Sequence, residues 1–370
     1  MPKNVNNKSV NNKDVVDPPM DAQNGGGAGL PKKSKFMLFI MAFTGFLTFA
    51  AGLILALYAF LNYRYEAVPA GDKSEIVFNV KKGSGLSRIA NDLENSGAIK
   101  SANIFKLVTK LRGNEAAFKA GEYSLALPAS MHNIFDTLSE GKAILYPITI
   151  AEGRTSAQVV RQLAEYDWLT PEDVQLPPEG SLLPETYLLP RNMSYSEVLG
   201  RMSEARDEAL NRLWESRAEG LPVKTKAEAM ILASIVEKET GSDGERGRVA
   251  GVFTNRLRRG IRLQSDPTII YGISKGEILR DKAGKQRGIR RSEIDRKTEW
   301  NTYQIDGLPV TPICNPGEAA IAAVLNPAET KELYFVADGT GGHVFAKTLA
   351  EHNRNVEKWR KIERARKSNR

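Results

Sequence analysis

An uninterrupted apolar run from Phe36 to Leu61 constrains this 370-residue chain more than any other feature. Within this run only two glycines and two threonines are less apolar than their neighbours. A helix needs about twenty residues to cross a bilayer, and the run is longer than that. The run is too long for the apolar region of a secretory signal, and no small-residue cleavage site follows it. A soluble helix of this composition would be apolar on every face. The sequence therefore predicts a transmembrane helix over residues 36–61.

The charges that flank this run predict its orientation. Three lysines lie within residues 32–35, whereas Arg64 and Glu66 begin a flank of mixed charge. Because basic residues favour the cytoplasmic side, we expect a single pass through the inner (cytoplasmic) membrane, with the N-terminus in the cytoplasm and the rest outside. The tail over residues 1–35 is rich in Asn, Lys and Gly, so it is predicted to be disordered.

Charge, cysteine and histidine content narrow the classes of function. Lys and Arg number 52 against 44 Asp and Glu, an excess that suits nucleic acid, an anionic membrane surface or an acidic cell-wall polymer. No zinc-finger, helix-turn-helix or RNA-binding signature is present, so nucleic acid is not expected as a partner. The lone cysteine, Cys314, cannot form an internal disulfide. Three scattered histidines argue against a metal site, and no cofactor is expected.

Two segments beyond the apolar run resemble each other. In each, an alternating apolar strand ends at a glycine, Gly83 or Gly153, and a helix with apolar residues four apart follows. Strand–turn–helix units are common, so chance similarity is the alternative. After the first unit we expect a returning strand near residues 119–125 and a short helix over 131–138 that ends at Gly141.

Beyond Lys224 helices and strands alternate without the regularity of a doubly wound sheet, which predicts an α+β fold. Thr225 and Glu228 form a capping-box signature for a helix over residues 226–240, which Gly241 is expected to end. The further predicted elements are a helix over residues 245–259, a surface excursion over 274–291, a helix over 317–324 and a strand over 333–337.

The helix over residues 226–240 presents two carboxylates in its last turn, Glu237 and Glu239. They lie about 200° apart around the helix axis, so they face different surroundings. A carboxyl that points inward lies in poor solvent at the negative end of the helix dipole, and both effects raise its pKa. A raised pKa suits a general acid that protonates a glycosidic oxygen. The alternative is that both are solvated and paired with Lys238 or Arg246.

Seven motifs, in a fixed order, carry a family resemblance. They are Glu179–Tyr187, Ala233–Thr240, Arg262–Gly272, Glu299–Tyr303, Gly307–Pro309, Pro312–Gly317 and Tyr334–Asp338. Together they resemble the endolytic murein transglycosylase (YceG-like) family, over roughly residues 74–359. The resemblance implies a linker over residues 62–73, a small LysM-like, glycan-binding subdomain over 74–145, a larger mixed α+β catalytic domain over 146–358 and a basic C-terminal tail over 359–370.

The resemblance also implies a reaction, which is cleavage of the β-1,4 bond between N-acetylmuramic acid and N-acetylglucosamine within a glycan strand. The product ends in 1,6-anhydro-muramic acid. One carboxyl suffices, because it first protonates the leaving oxygen and then helps the muramic 6-hydroxyl to close onto C1. No water is consumed, so the second carboxylate of a hydrolase is not required. Expected partners are peptidoglycan strands, the membrane and, by analogy, penicillin-binding proteins and other glycan polymerases.

Glu239 is the preferred catalytic residue, with Glu237 as the alternative or as a supporting group. The segment Ile235–Thr240 resembles that around the catalytic glutamate of goose-type lysozymes, which places Glu239 in the catalytic position. The bulkier apolar stripe above Glu239 agrees, because a desolvated carboxyl is the better acid. Polar and aromatic groups suited to sugars are the candidates for substrate binding: Gln264, Asp266, Asn301, Thr302 and Tyr303.

Several alternatives stay open from the sequence. Residues 266–268 fit a turn or helix cap equally well, and Trp300 fits either a core position or a sugar platform. A non-catalytic wall-binding scaffold would use the LysM-like unit alone. A muramidase, which is a hydrolase, would use Asp266 as a second carboxylate beside Glu239.

Overall fold

The computed structural model describes residues 32–113, 118–240 and 243–368. The chain divides into two units, and the boundary in the sequence lies after Tyr65. The first unit is described as one long helix, α1 (Lys32–Glu66). Its apolar side chains are exposed, with Phe36 at 67% and Leu55 at 67%. Within the described ranges, α1 is the one helix long and apolar enough to cross a membrane.

The apolar run predicted as a span thus lies inside α1, which extends beyond it at both ends. Of the tail predicted to be disordered, residues 1–31 lie outside the described residues, whereas 32–35 belong to α1. Lysine is a good helix former, so the helix continues through this basic flank.

The second unit starts with the order strand, helix, helix, strand. These elements are β1 (Ser74–Val80), α2 (Leu86–Asn95), α3 (Ala102–Leu111) and β2 (Gly121–Leu127). The two strands pair antiparallel, with Ser74 opposite Leu127 and Val80 opposite Gly121. A short helix, α4 (Met131–Glu140), follows and ends at Gly141, whose φ of 73° gives a left-handed cap. The returning strand and this helix confirm the sequence predictions.

The related segment that follows builds a second antiparallel pair. Its elements are β3 (Leu145–Thr149), α5 (Ser156–Leu163), β4 (Thr186–Pro190) and α6 (Tyr195–Glu215). The predicted likeness to the first segment holds at the turn, since Gly83 and Gly153 have φ values of 78° and 74°. It holds in the helices too, because their matching apolar residues are at most 2% exposed: Ile89, Leu93, Val159 and Leu163.

The main core surrounds one buried helix, α7 (Lys226–Glu239). The helices that follow it are α8 (Arg246–Arg258), preceded by a 3₁₀ turn over Asp243–Glu245, α9 (Asp266–Ser274), α10 (Arg291–Ile294) and α11 (Glu318–Leu325). α7 packs against α8, α9 and α11, and every residue from Ala229 to Glu237 except Ile231 is buried. A helix buried on most of its surface holds the residues at its end in a fixed place.

The predicted capping box at the start of α7 is confirmed. The Thr225 hydroxyl accepts the N–H of Glu228 at 3.1 Å, and the Glu228 carboxylate accepts the N–H of Thr225 at 3.2 Å. At the other end the N–H of Thr240 donates to the carbonyl of Val236. Gly241, predicted as the stop, lies outside the described residues.

The chain closes with a hairpin and a long helix, β5 (Tyr334–Ala337), β6 (His343–Ala346) and α12 (Leu349–Ser368). β5 and β6 pair antiparallel, and α12 packs against both. The predicted basic tail belongs to α12 as far as Ser368. With three two-stranded antiparallel sheets among the helices of the described residues, the α+β prediction is confirmed.

Candidate active site

Glu239 is the last residue of α7 and lies deep in the fold, while its side chain keeps partial exposure to solvent. The Ser265 hydroxyl, which is 1% exposed, donates to Glu239 Oε1 at 2.6 Å. Burial raises the pKa of Glu239; the Ser265 hydrogen bond lowers it, and the neighbouring charge of Asp266 raises it. The site therefore holds a half-buried carboxyl whose pKa is raised above its usual value.

Glu237 faces different partners, as the helical geometry predicts. It is 8% exposed, and its Oε2 accepts the backbone N–H of Gly317 at 2.9 Å. The guanidinium of Arg246 lies 4.0 Å from its other oxygen and 3.5 Å from Glu152. Burial raises the pKa of Glu237, whereas the Gly317 hydrogen bond lowers it. Because Gly317 is the N-cap of α11, this carboxylate ties α7 to the start of α11.

Asp266 and Tyr303 form a polar pair beside Glu239. The Tyr303 hydroxyl donates to Asp266 Oδ1 at 2.8 Å. Burial raises the pKa of Tyr303, and the charges of Asp266 and Glu239 raise it further. Asp266 itself is exposed and is the first residue of α9, so the helix-start interpretation of residues 266–268 is confirmed. The structure thus brings two of the predicted substrate-binding residues into the electrostatic surroundings of Glu239.

Gln264 completes this exposed group of residues. Its φ of 51° places it in the left-handed region, and its side chain is exposed. The Arg256 guanidinium donates to its amide oxygen at 3.5 Å. A left-handed non-glycine residue next to a candidate site carries a local conformational cost that the surrounding contacts must offset.

Asn301 and Thr302 lie behind this surface, at 1% and 0% exposure. The Asn301 amide donates to three carbonyls within residues 293–296 and accepts the N–H of Tyr303 at 3.0 Å. The Thr302 hydroxyl accepts the N–H of Ser265 at 3.0 Å. Their polar groups are occupied by protein partners, so both hold the loops of the site together.

The match to a protein family covers most of the second unit. The YceG-like family matches residues 78–358. The chain belongs to the YceG-like family. A relative from Bacillus subtilis, named "Endolytic murein transglycosylase", is 28% identical over 329 residues, which cover 80% of this chain and 87% of the relative.

Two further proteins are similar to this chain. A Streptococcus pneumoniae protein with the same name is 28% identical over 367 residues, covering 86% of this chain. This chain spans 64% of that relative's length, which is less than two thirds. A crystal structure of a YceG-like protein from Listeria monocytogenes has 26% identity and a TM-score of 0.45, covering 76% of this chain and 99% of the other.

Arg256 contacts Gln264, and its charge lowers the pKa of Glu239, although no role at this site was predicted for it from the sequence. It is 8% exposed in α8, and its guanidinium donates to the carbonyls of Leu333 at 2.6 Å and Leu263 at 2.9 Å. Burial lowers its pKa. An arginine on the apolar face of a predicted helix was the available signal, since such a residue needs buried acceptors.

Ser265 and His343 were missed as well. Ser265 lies 26 residues from Glu239, and nothing in its local pattern marks it. His343 is fixed by Glu245, whose carboxylate accepts the His343 N–H at 2.9 Å and lies 2.8 Å from Nδ1. A positive charge on His343 lowers the pKa of Glu239. The glycine-rich turn between β5 and β6 was the available signal for this hairpin.

Two cavities flank the buried helix. One of about 500 Å³, called the α9 cavity below, lies between α9 and residues 276–289, the predicted surface excursion, and Lys238 and Asp266 contribute to its wall. The other, of about 550 Å³, has Trp300 in its wall. The first adjoins Asp266 and so extends the surface around Glu239.

Across residues 32–113, 118–240 and 243–368, no group of three or more His, Cys, Asp or Glu side chains is placed to hold a metal ion. Cys314 is buried, its Sγ lies 3.3 Å from the carbonyl of Ser234, and burial raises the pKa of its thiol. A buried neutral thiol of this kind is inert.

Proposed function

We propose that this chain is a membrane-anchored endolytic lytic transglycosylase of peptidoglycan, with Glu239 as its catalytic acid and base. Membership of a family with relatives named "Endolytic murein transglycosylase" supports the substrate and the reaction class. The observation that carries the role of Glu239 is its position: a half-buried carboxyl whose pKa is raised by burial and whose oxygen accepts the Ser265 hydroxyl.

The proposed reaction needs one carboxyl in two roles. Neutral Glu239 gives its proton to the glycosidic oxygen as the bond from that oxygen to muramic C1 breaks. The resulting carboxylate takes the proton of the muramic 6-hydroxyl, whose oxygen forms the new bond to C1. Glu239 ends protonated, as it began, and no water enters the products.

The neighbours of Glu239 shift its pKa in opposite directions, and each direction favours one of the two steps. The charge of Asp266 raises the pKa of Glu239 and favours the acid step. The Ser265 hydrogen bond and the charge of Arg256 lower that pKa and favour the carboxylate of the second step. A carboxyl that acts as acid and then as base benefits from this balance, because neither form is strongly trapped.

Gln264, Asp266 and Tyr303 are the residues we propose for glycan binding. They lie around Glu239, and each presents an amide, carboxylate or aromatic group suited to a sugar. Asn301 and Thr302, which the sequence predicts for the same role, are buried and support this surface from behind. The proposed LysM-like glycan-binding subdomain, residues 74–145, contains β1, α2, α3, β2 and α4.

The hydrolase alternative keeps one observation in its favour, because Asp266 supplies a second carboxylate beside Glu239. Retaining and inverting hydrolases both use such a pair.

The test of the proposed function is mass spectrometry of isolated peptidoglycan digested with the full chain in detergent. We expect 1,6-anhydro-muramic ends. Reducing ends would establish a muramidase, and intact strands would favour a non-catalytic wall-binding scaffold.

The proposed orientation in the inner membrane gives its own prediction. A reporter that is active only outside the cytoplasm, fused after Ser368, should be active, whereas the same reporter fused before Lys32 should be inactive. The three lysines within residues 32–35 carry the positive-inside bias. Replacing them by glutamate should reduce the activity of the C-terminal fusion. The opposite pattern for the two fusions would reverse the topology and place the site in the cytoplasm.

Ser265→Ala should move the pH profile of the reaction. The acid step needs neutral Glu239, so kcat/KM falls as pH rises through its pKa. Loss of the Ser265 hydrogen bond removes a group that favours the carboxylate, so this alkaline limb should move to higher pH. We also expect kcat to fall about ten- to a hundredfold, because the carboxyl loses its fixed orientation.

Release of anhydro-ended fragments, measured across pH, checks this expectation. Ser274→Ala is the matched control, because that hydroxyl donates to carbonyls of Ile270 and Glu277, away from Glu239. An alkaline limb that stays in place in Ser265→Ala would show that another group sets it.

A further inference from the structure

The α9 cavity begins directly beside Glu239. Lys238, which precedes Glu239 in the chain, lies in its wall, and so does Asp266. Asp266 follows Ser265, whose hydroxyl donates to Glu239 at 2.6 Å. Consecutive Cα atoms are about 3.8 Å apart, so the wall starts one residue from Glu239 and one residue from its hydrogen-bond partner. A substrate held at Glu239 therefore lies next to this cavity.

The excursion over residues 276–289 is held in place as a wall of the cavity. At its start, Gly276 lies so close to α5 that a Cβ on it would be 2.5 Å from Cγ2 of Thr155. Near its end, the Arg287 guanidinium donates to both carboxylate oxygens of Glu293, at 2.8 and 2.7 Å. The cavity, of about 500 Å³, is thus formed before a ligand arrives, and binding does not have to order its wall.

The wall combines aliphatic carbons with polar groups that can bond to a ligand. The aliphatic part includes three isoleucines: Ile270, Ile289 and Ile313. The exposed Lys238 ammonium has three donors, and one of them reaches the carbonyl oxygen of Gly153 at 3.3 Å. Asp266 accepts the Tyr303 hydroxyl at Oδ1, and none of the described residues donates to its Oδ2. A ligand can therefore meet a donor, an acceptor and an apolar surface in one place.

An acetamido group needs this combination of partners. Its N–H requires an acceptor, its carbonyl oxygen requires a donor, and its methyl group is best placed against apolar carbons. Both sugars of the proposed substrate, N-acetylglucosamine and N-acetylmuramic acid, carry such a group. A hydroxyl group at the same ring position has no methyl group, so it would leave the aliphatic part of the wall unfilled.

We infer that the α9 cavity binds the acetamido group of a glycan sugar next to the cut bond, and that it thereby selects N-acetylated strands. Asp266 accepts the acetamido N–H, Lys238 donates to its carbonyl oxygen, and Ile270 contacts its methyl group. The inference rests on the proposed function, because it names the part of the same substrate that this cavity takes. It also gives the excursion over residues 276–289 a role in specificity.

Two neutral oligosaccharides test the cavity without any need for catalysis. The full chain carrying Glu239→Gln, in a detergent without a sugar head group, is titrated in a calorimeter. The ligands are the β-1,4-linked tetramer of N-acetylglucosamine and that of glucose, which differ only in the acetamido or hydroxyl group at C2. We expect the acetylated tetramer to bind at least about tenfold more tightly, because it adds the methyl contact and the amide hydrogen bonds.

Substitutions in the wall show whether the cavity carries this preference. Ile270→Asn on α9 and Ile289→Asn in the excursion, both at half-buried positions, should each reduce the preference to about threefold or less, because the methyl group loses its apolar contact. Ile273→Asn is the matched control, since it makes the same change on α9 at a position that is 38% exposed and outside the wall. It should keep the tenfold preference. Near-UV circular dichroism checks that each variant is folded.

Each result decides between the two proposals. Equal affinity for the two tetramers would overturn the cavity assignment. A preference that survives both wall substitutions would also overturn it, and would place the recognition in the LysM-like subdomain. A preference that depends on the wall, in a chain whose wild type forms no anhydro ends from peptidoglycan, would leave the cavity assigned and reject the transglycosylase. Anhydro ends without the preference would do the reverse.

Discussion

Glu239→Gln should lower the rate of anhydro-end formation by about a thousandfold, within the range that general acid–base catalysis contributes. Glutamine has nearly the same shape, and its amide oxygen can still accept the Ser265 hydroxyl, so the fold should be preserved. The amide has no acidic proton to give and cannot accept the proton of the muramic 6-hydroxyl. Mass spectrometry of digested peptidoglycan measures the loss, with circular dichroism to show that the variant is folded.

Glu237→Gln is the matched control, two residues away on the same helix. Its amide oxygen can still accept the N–H of Gly317, while its weak attraction to Arg246 is lost. We expect it to keep activity within about tenfold of wild type, because its contacts tie α7 to α11 and do not face the substrate. If Glu237→Gln is inactive and Glu239→Gln is active, the transglycosylase stands and the catalytic residue has been assigned wrongly.

The features that could be predicted from the sequence are those that depend on a few neighbouring residues. The capping box of Thr225 and Glu228 lies within four residues, and the left-handed cap at Gly141 depends on one residue, so both could be predicted before any packing was known. α6 was missed although Ser194 and Glu197 form the same capping box at its start. That signal was present and would have found the helix.

The functional site depends on contacts that no local pattern contains. Gly317 binds Glu237 across 80 residues, and Ser265 binds Glu239 across 26. The pair of glutamates could be found from the sequence because they share one helix turn. Which partner each carboxyl meets depends on how α9 and α11 pack against α7, and that packing has no signature in either motif.

Residue type alone does not predict which polar side chains around the site are exposed. Asn301 and Thr302 carry groups that bind sugars well, and the sequence offers no reason to separate them from Gln264. The structure separates them by burial, since Asn301 is 1% and Thr302 0% exposed, whereas Gln264 is exposed. Buried polar side chains bond to protein, so the two contribute by fixing the loops and not by touching solvent.

Arg256 links the loops of the site to the core, because its guanidinium contacts the segments that begin β5 and α9. It donates to the carbonyl of Leu333 just before β5, and to the carbonyls of Arg262 and Leu263 just before α9. It also lies 5.1 Å from the ring centroid of Tyr334. A buried carbonyl that loses its donor keeps the cost of its lost hydration.

Arg256→Ala should therefore lower the free energy of unfolding by about 3 kcal/mol, because three carbonyls lose their donor and two of them are buried. For a unit of this size that is about 6–12 °C in Tm, measured by near-UV circular dichroism of the full chain in detergent. Arg258→Ala, at an exposed position in the same helix, should cost about 0.5 kcal/mol or less. Equal Tm values for the two variants would mean that water replaces the guanidinium, and that Arg256 does not hold the loops around Glu239.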